Sequence, residues 1–285
     1  NEFYWRSDIN ASQYGKVAKA LVSAIHSGIR KSNRSSLYKT ELSVQSGLTV
    51  SDAKTVASYF RSSSALVDYL TYHWYPGRTE IQLGFWRMNG VNQKFNTRLK
   101  SIASQWNKTA GFSKPFFLSE FNIRSSGVDH GLRNPMGIMS IFSEAVRGNT
   151  KIATIWPIMA SGTNLPTKLF KTGGGNSVSA TTNGVFYDWM FDTVRGAKII
   201  EGVGNTSYNN ASTFRRGIYT EAFKKGSDTM VVYAFGTEAG SEQVRLTFKN
   251  FQITSVRADK LYTASGQEAN ANVVASKKRI YPSVW

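Results

Sequence analysis

The run Lys114-Pro-Phe-Phe-Leu-Ser-Glu-Phe-Asn122 places a carboxylate, Glu120, directly behind a short aromatic stretch. Phe116 to Leu118 is too short and too aromatic for a helix, and Pro115 is tolerated at a strand's first residue. A buried parallel strand is predicted there. In a strand–helix repeat the C-terminal strand ends form the face where chemistry is placed, and Glu120 falls where the apolar run stops. An acid in that position can also simply cap the following loop. Carboxylates are scarce in this chain, with 18 Asp+Glu against 35 Lys+Arg, so their placement is informative. Glu201, Glu221, Glu238, Glu242 and Glu268 fall in the C-terminal region or its approach, and Glu144 falls within a helical pattern. Asn1-Glu2-Phe-Tyr-Trp5 precedes the first helix by a short loop, as a strand terminus would. It offers Glu2 as a second acid at an equivalent position, with room for a substrate between the two. A metal set of His73, Glu120 and Glu2 is conceivable, but His26 and His130 sit badly for it, and no metal or other cofactor is expected.

The elements that would position these acids follow from periodicity. Residues 11–29 carry Tyr14, Ala18, Leu21, Ile25 and Ile29 at helical spacing, with Ser12 as the expected N-cap. Thr40 to Gln45 alternates as a short strand, and Ser51-Asp52 opens a second helix through Ala53, Val56, Ala57 and Phe60. Val67 to Tyr72 is strand-like and runs into the turn His73-Trp-Tyr-Pro-Gly77. Residues 92–109 make a third helix with Phe95, Leu99, Ile102 and Trp106 on one face, closed by Gly111. A helix from Pro135 to Gly148, a strand over Lys151–Ile155 ending at Trp156-Pro157, a long Gly/Ser/Thr loop over 160–182 and a helix over 183–195 complete this part. Four strands alternating with helices predict a parallel sheet with right-handed crossovers. From about 197 the pattern changes to short alternating segments between Gly, Asn and Asp turns: Gly217–Tyr219, Thr229–Phe235, Gln243–Phe248 and Ile280-Tyr281. These predict a small antiparallel sheet domain.

At 285 residues, 41% hydrophobic and 13% aromatic, the chain can bury one large core with or without an accessory domain. No apolar run approaches the roughly 18–20 residues of a membrane span. The absence of cysteine excludes disulfides, thiol chemistry and zinc–thiolate sites. Five Asn-x-Ser/Thr sequons, at Asn10, Asn33, Asn107, Asn205 and Asn210, matter only in a eukaryotic secretory pathway. A net charge of +17 and a pI near 10.0 describe a surface that attracts polyanions: nucleic acid, anionic lipid, or acidic or sulfated polysaccharide. The basic residues are scattered rather than gathered into an arm, which argues against a dedicated nucleic-acid tail.

With these segments in order, the chain resembles the retaining glycosidases of clan A, and within them the β-agarase and porphyranase group. Asn1-Glu2-Phe-Tyr-Trp5, Tyr72-His-Trp-Tyr-Pro-Gly77, Leu118-Ser-Glu-Phe-Asn122 and Thr154-Ile-Trp-Pro157 match the ends of strands four, six, seven and eight of that family's barrel. The resemblance implies an α/β fold of the (β/α)8 TIM-barrel type, of which residues 1–196 supply about strands 4/5 to 8. Residues 197–285 would be an appended antiparallel β-sandwich. It implies that the missing N-terminal half of the barrel, strands one to three and nearly all of four, comes from an upstream segment or a second chain. It also implies roles. Glu120 would be the nucleophile, Glu2 the acid and later the base, and Asn1 the partner of the sugar 2-hydroxyl. His73 or Tyr75 would hold Glu120 ionised and oriented, and Trp156 would form a sugar-stacking floor with Trp74 nearby. For Trp74 and Trp156, ordinary core packing is an equal reading. Two carboxyls about 5–5.5 Å apart suit double displacement, in which one attacks the anomeric carbon while the other protonates the leaving oxygen.

The leading functional expectation is a secreted, retaining endo-glycoside hydrolase of an anionic polysaccharide, with no membrane and no specific nucleic-acid partner. A non-catalytic carbohydrate-binding or virion-associated structural protein that keeps a glycosidase-like fold is the alternative from another class. A nucleic-acid-binding protein, prompted by charge alone, is the third.

Overall fold

A sheet of four parallel strands, in the order in which the chain makes them, is the framework of the protein. The structure is a computed structural model describing residues 9–77, 86–88, 91–123, 131–159, 167–172, 177–201, 218–236, 248, 250–268, 270 and 272–281. Its strands are β1 (Ser43–Gln45), β2 (Tyr69–Trp74), β3 (Trp86–Met88), β4 (Val91–Gln93), β5 (Phe116–Phe121), β6 (Thr150–Ile155), β7 (Phe170–Thr172), β8 (Val178–Ala180), β9 (Lys198–Ile199), β10 (Ile218–Lys225), β11 (Thr229–Gly236), β12 (Ala258–Tyr262) and β13 (Ser276–Ile280). The helices are α1 (Ala11–Lys31), α2 (Val50–Ser58), α3 (Phe95–Ala110), α4 (Asn134–Arg147) and α5 (Thr182–Val194). The described chain forms two compact units. The first holds the described residues of Asn1–Trp74, Arg87–Phe121 and Glu144–Ile155; the second holds those of Tyr75–Trp86, Asn122–Ser143 and Trp156–Trp285.

In the first unit the order β1-β2-β5-β6 is all parallel and never reverses. Right-handed crossovers between strands laid down in one direction put every connecting helix on the same face. The side chains record this as an alternation. Leu70, Tyr72, Phe116, Leu118 and Phe121 are buried, while Thr71, His73, Phe117 and Glu120 on the other face stay half-exposed. On the covered face Trp74 stacks on Phe95 of α3, with ring centroids 4.6 Å apart and planes 4° from parallel. The fully buried Trp106 leans on Phe60 and donates its indole N–H to the carbonyl of Ser46 at 2.9 Å. Its removal costs on the order of 3–5 kcal/mol. Gly111 closes α3 in the left-handed region (φ 81°), its N–H bonded to Asn107 O, as a C-terminal glycine does.

Several local expectations shift by a residue or a face. The cap of α1 is Asn10, not Ser12. Its side chain accepts from Ser12 N and Gln13 N while Gln13 returns a bond to Asn10 N, a capping box. The buried stripe of α1 is Gly15, Ala18 and Val22, and Leu21 is 58% exposed. The cause is close approach to Tyr59, whose ring would lie 2.6 Å from a Cβ at position 15. The strand predicted over Phe116–Leu118 runs on to Phe121, so Glu120 is its penultimate residue rather than following it.

In the second unit the antiparallel pattern begins at β9, which pairs with β10 and through it with β11; β12 and β13 form a separate ribbon. Phe186 of α5 packs against Tyr233 and Phe235 of β11. The expected loop over 160–182 contains the short antiparallel pair β7–β8. The strand expected over Gln243–Phe248 lies outside the described residues except for Phe248.

Candidate functional site

Glu120 and His73 are brought side by side by one extra residue. Leu70, Thr71 and Tyr72 pair in step with Phe116, Phe117 and Leu118, but His73 then pairs with Glu120, leaving Ser119 as a bulge. Without that insertion the period of two would point Glu120 to the buried face with Leu118. A bulge re-aims the side chains that follow it, and here it turns Glu120 onto the half-exposed face that carries His73. The same irregularity recurs toward β6, where Leu118 pairs with Ala153 and Phe121 with Ile155. There the Thr154 hydroxyl donates to the carbonyl of Ser119, tying the bulge to its neighbour.

His73 Nδ1 lies 3.7 Å from Glu120 Oε2, within ion-pair reach and longer than a hydrogen bond. The imidazole is mostly covered, 13% exposed, whereas the Glu120 side chain keeps 37% of its surface. A part-exposed carboxylate thus stands beside a largely buried imidazole.

The other predicted residues separate. Trp74 points to the helix-covered face, 5% exposed against Phe95, and is part of the core rather than of the His73 face. Asn1 and Glu2 lie outside the described residues, as does His130. Tyr75 and Trp156 belong to the second unit, where their rings meet edge to face at 6.3 Å. Trp156 is 49% exposed and begins a cis Trp156–Pro157 peptide. An exposed indole steadied by a neighbouring ring is a surface on which a sugar can stack.

The geometry gives Asn122, the last residue of the Leu118–Asn122 run, a supporting role. It is 1% exposed, and its amide donates to the carbonyls of Trp156 and Thr167, both at 2.9 Å, while its own carbonyl oxygen accepts from Ile123 N at 2.8 Å. It fixes the backbone that presents Trp156. The signal in the sequence was a polar residue two positions past an acid at a strand end.

Among the described residues no three His, Asp or Glu side chains gather as a metal site would, and no helix is long and apolar enough to cross a membrane. His26 lies instead along a cavity of about 360 Å³ on α1, lined by Ser23, Ser27, Arg30, Lys31 and Leu66. No known family model matches this chain, and no curated protein matches it.

Proposed function

We propose that this chain carries the nucleophile of a retaining endo-glycoside hydrolase acting on an anionic, sulfated or acidic polysaccharide. The observation that carries the proposal is the His73–Glu120 pair, aimed by the Ser119 bulge onto the uncovered face of a parallel sheet at its C-terminal strand ends. An unreversed strand order with helices on one face is the grammar of half a (β/α)8 barrel rather than of a doubly wound sheet. The partly exposed Thr71, Phe117 and Glu120 are then barrel-interior positions, to be enclosed by further strand–helix units from an upstream segment or a second chain. Residues from 197 on form the accessory β-sandwich.

A Glu120 oxygen attacks the anomeric carbon as the bond to the leaving oxygen breaks, and Glu2 gives that oxygen its proton. The glycosyl ester on Glu120 is then hydrolysed by a water that Glu2, now a carboxylate, deprotonates. His73 orients Glu120, Asn1 holds the 2-hydroxyl, and Trp156 supplies the stacking floor. The charge of +17 favours a polyanionic substrate, and such a substrate places the enzyme outside the cell.

The test is Glu120→Gln assayed on sulfated galactans and uronans. Turnover is expected to fall at least about a thousandfold, as removal of a nucleophile does, with the fold unchanged by circular dichroism. Unchanged turnover refutes the assignment. The exposed Trp156, steadied by the Tyr75 ring, favours a second reading, a non-catalytic carbohydrate-binding or virion-associated structural protein. Tight glycan binding without release of reducing ends would select it.

A further inference from the structure

The second half of α1 carries polar side chains along one stripe. Ser23, His26, Ser27, Arg30 and Lys31 stand at i, i+3, i+4, i+7 and i+8, the spacing of a single helix face. The buried stripe of the helix is a different one, through Gly15, Ala18 and Val22. Leu66, which ends the short 3-10 turn Ser64–Leu66, joins these five in lining one open cavity of about 360 Å³. Helix and turn belong to the same compact unit.

The lining is polar, basic and uncommitted. Hydroxyls inside a helix commonly bond back to a carbonyl one turn earlier, as those of Thr55, Ser58, Ser101 and Thr193 do. Among the described residues the hydroxyls of Ser23 and Ser27 make no such bond. Arg30 and Lys31 are exposed and make no ion pair among the described residues. No Asp or Glu occurs in α1, and none lines the cavity. His26 Nε2 is buried and unbonded, which leaves Nδ1 as the ring nitrogen that a ligand can reach. Cations in a last turn complement the negative end of a helix, and that alone would account for Arg30 and Lys31. It does not account for two unbonded hydroxyls and an imidazole on the same stripe one and two turns earlier.

We propose that this cavity binds a tetrahedral oxyanion, phosphate or sulfate, either free or carried as a monoester on a sugar-sized body. The Arg30 guanidinium presents parallel N–H donors to two oxygens, and Lys31 adds a point charge. Ser23, Ser27 and His26 supply further donors. Two full charges exceed the roughly half charge of the helix end they stand on. The volume of about 360 Å³ lies at the lower end of the range for small-ligand sites, about 300–1,000 Å³, and suits one sugar unit rather than a length of polymer. The inference does not rest on the function proposed above.

The experiment is isothermal titration calorimetry of the whole protein, at fixed ionic strength, with sodium phosphate, sodium sulfate, galactose 6-sulfate and galactose. Wild type is expected to bind at least one oxyanion saturably, with Kd of about 1 mM or tighter, and not to bind galactose. Tighter binding of galactose 6-sulfate than of either inorganic ion assigns the site to a monoester; equal or weaker binding assigns it to the free anion. R30Q/K31Q is expected to lose about tenfold or more in affinity, and S23A/S27A roughly threefold or more. The alanines favour the helix, and circular dichroism checks that both variants fold. K100Q/K108Q removes the same charge from exposed positions on α3 and is expected to bind like wild type. An equal loss in K100Q/K108Q and R30Q/K31Q makes the effect one of net charge and overturns the proposal. So does wild-type affinity in R30Q/K31Q or in S23A/S27A, equal binding of galactose and its sulfate, or no saturable binding of any oxyanion.

Discussion

His73 and Glu120 face one another across β2 and β5 only because Ser119 is surplus to the ladder, and the pairing register hands that displacement to the very next side chain. The covered imidazole and the accessible carboxylate therefore have different surroundings although they are register neighbours. Asn122 plays the corresponding supporting part in the second unit. Replacing it by Ala strands two carbonyls, those of Trp156 and Thr167, and one N–H, that of Ile123, in a buried setting. A loss of about 1–3 kcal/mol in unfolding free energy is expected, measured by chemical denaturation, together with a shifted Trp156 fluorescence. An unchanged midpoint and spectrum would show that Asn122 does not position Trp156. Glu120, His73, Tyr75 and Trp156 could be picked from the sequence because each stands at the end of an apolar strand. The resemblance offered His73 or Tyr75 as the partner of Glu120; that the register sets His73 opposite Glu120 depends on a bulge that a serine does nothing to announce. Trp74 is the converse case: one position from His73 in sequence, it points to the opposite face because strand side chains alternate.

At the scale of elements, α3 begins without a cap of its own, Lys94 making no side-chain capping bond. Glu144 of α4 stands in, accepting from the backbone N–H of Asn96 at 3.3 Å and from the Asn96 side chain, with Arg147 at 3.4 Å. Burial pushes the Glu144 carboxyl above its ordinary value of 4.5, against the smaller opposing pull of these bonds and of Arg147 and Lys94. A raised folded value means that the native state holds the proton more tightly than the unfolded chain. Its contribution to stability is present below 4.5 and is lost as pH rises through the raised value. The stability difference between wild type and Glu144→Gln should therefore fall from pH 4 upward and level off, as read from urea midpoints; a constant difference would refute this. The four parallel strands were legible because each is a short apolar or alternating run set between helical patterns. β9 and β12 were not, because Lys-Ile and Ala-Asp-Lys-Leu-Tyr carry no clear alternation and are held by their partners rather than by a core. The cap of α1 is Asn10 rather than the expected Ser12 because Gln13, three residues after Asn10, closes a capping box with it.

For the whole molecule, the two strongest signals are the unreversed parallel sheet and the charge of +17. In the proposed function the sheet carries Glu120 on the face opposite Trp74, and the charge is the reason a polyanionic substrate is proposed. The central claim is that Glu120 is the nucleophile, and it is tested most directly by Glu120→Ala assayed on a sulfated galactan with and without sodium azide. With the carboxylate gone, azide has space to attack the anomeric carbon in its place. The account predicts that turnover is nearly abolished, and that azide restores part of it with a glycosyl azide of inverted configuration as product. Wild-type turnover by Glu120→Ala in the absence of azide would contradict it.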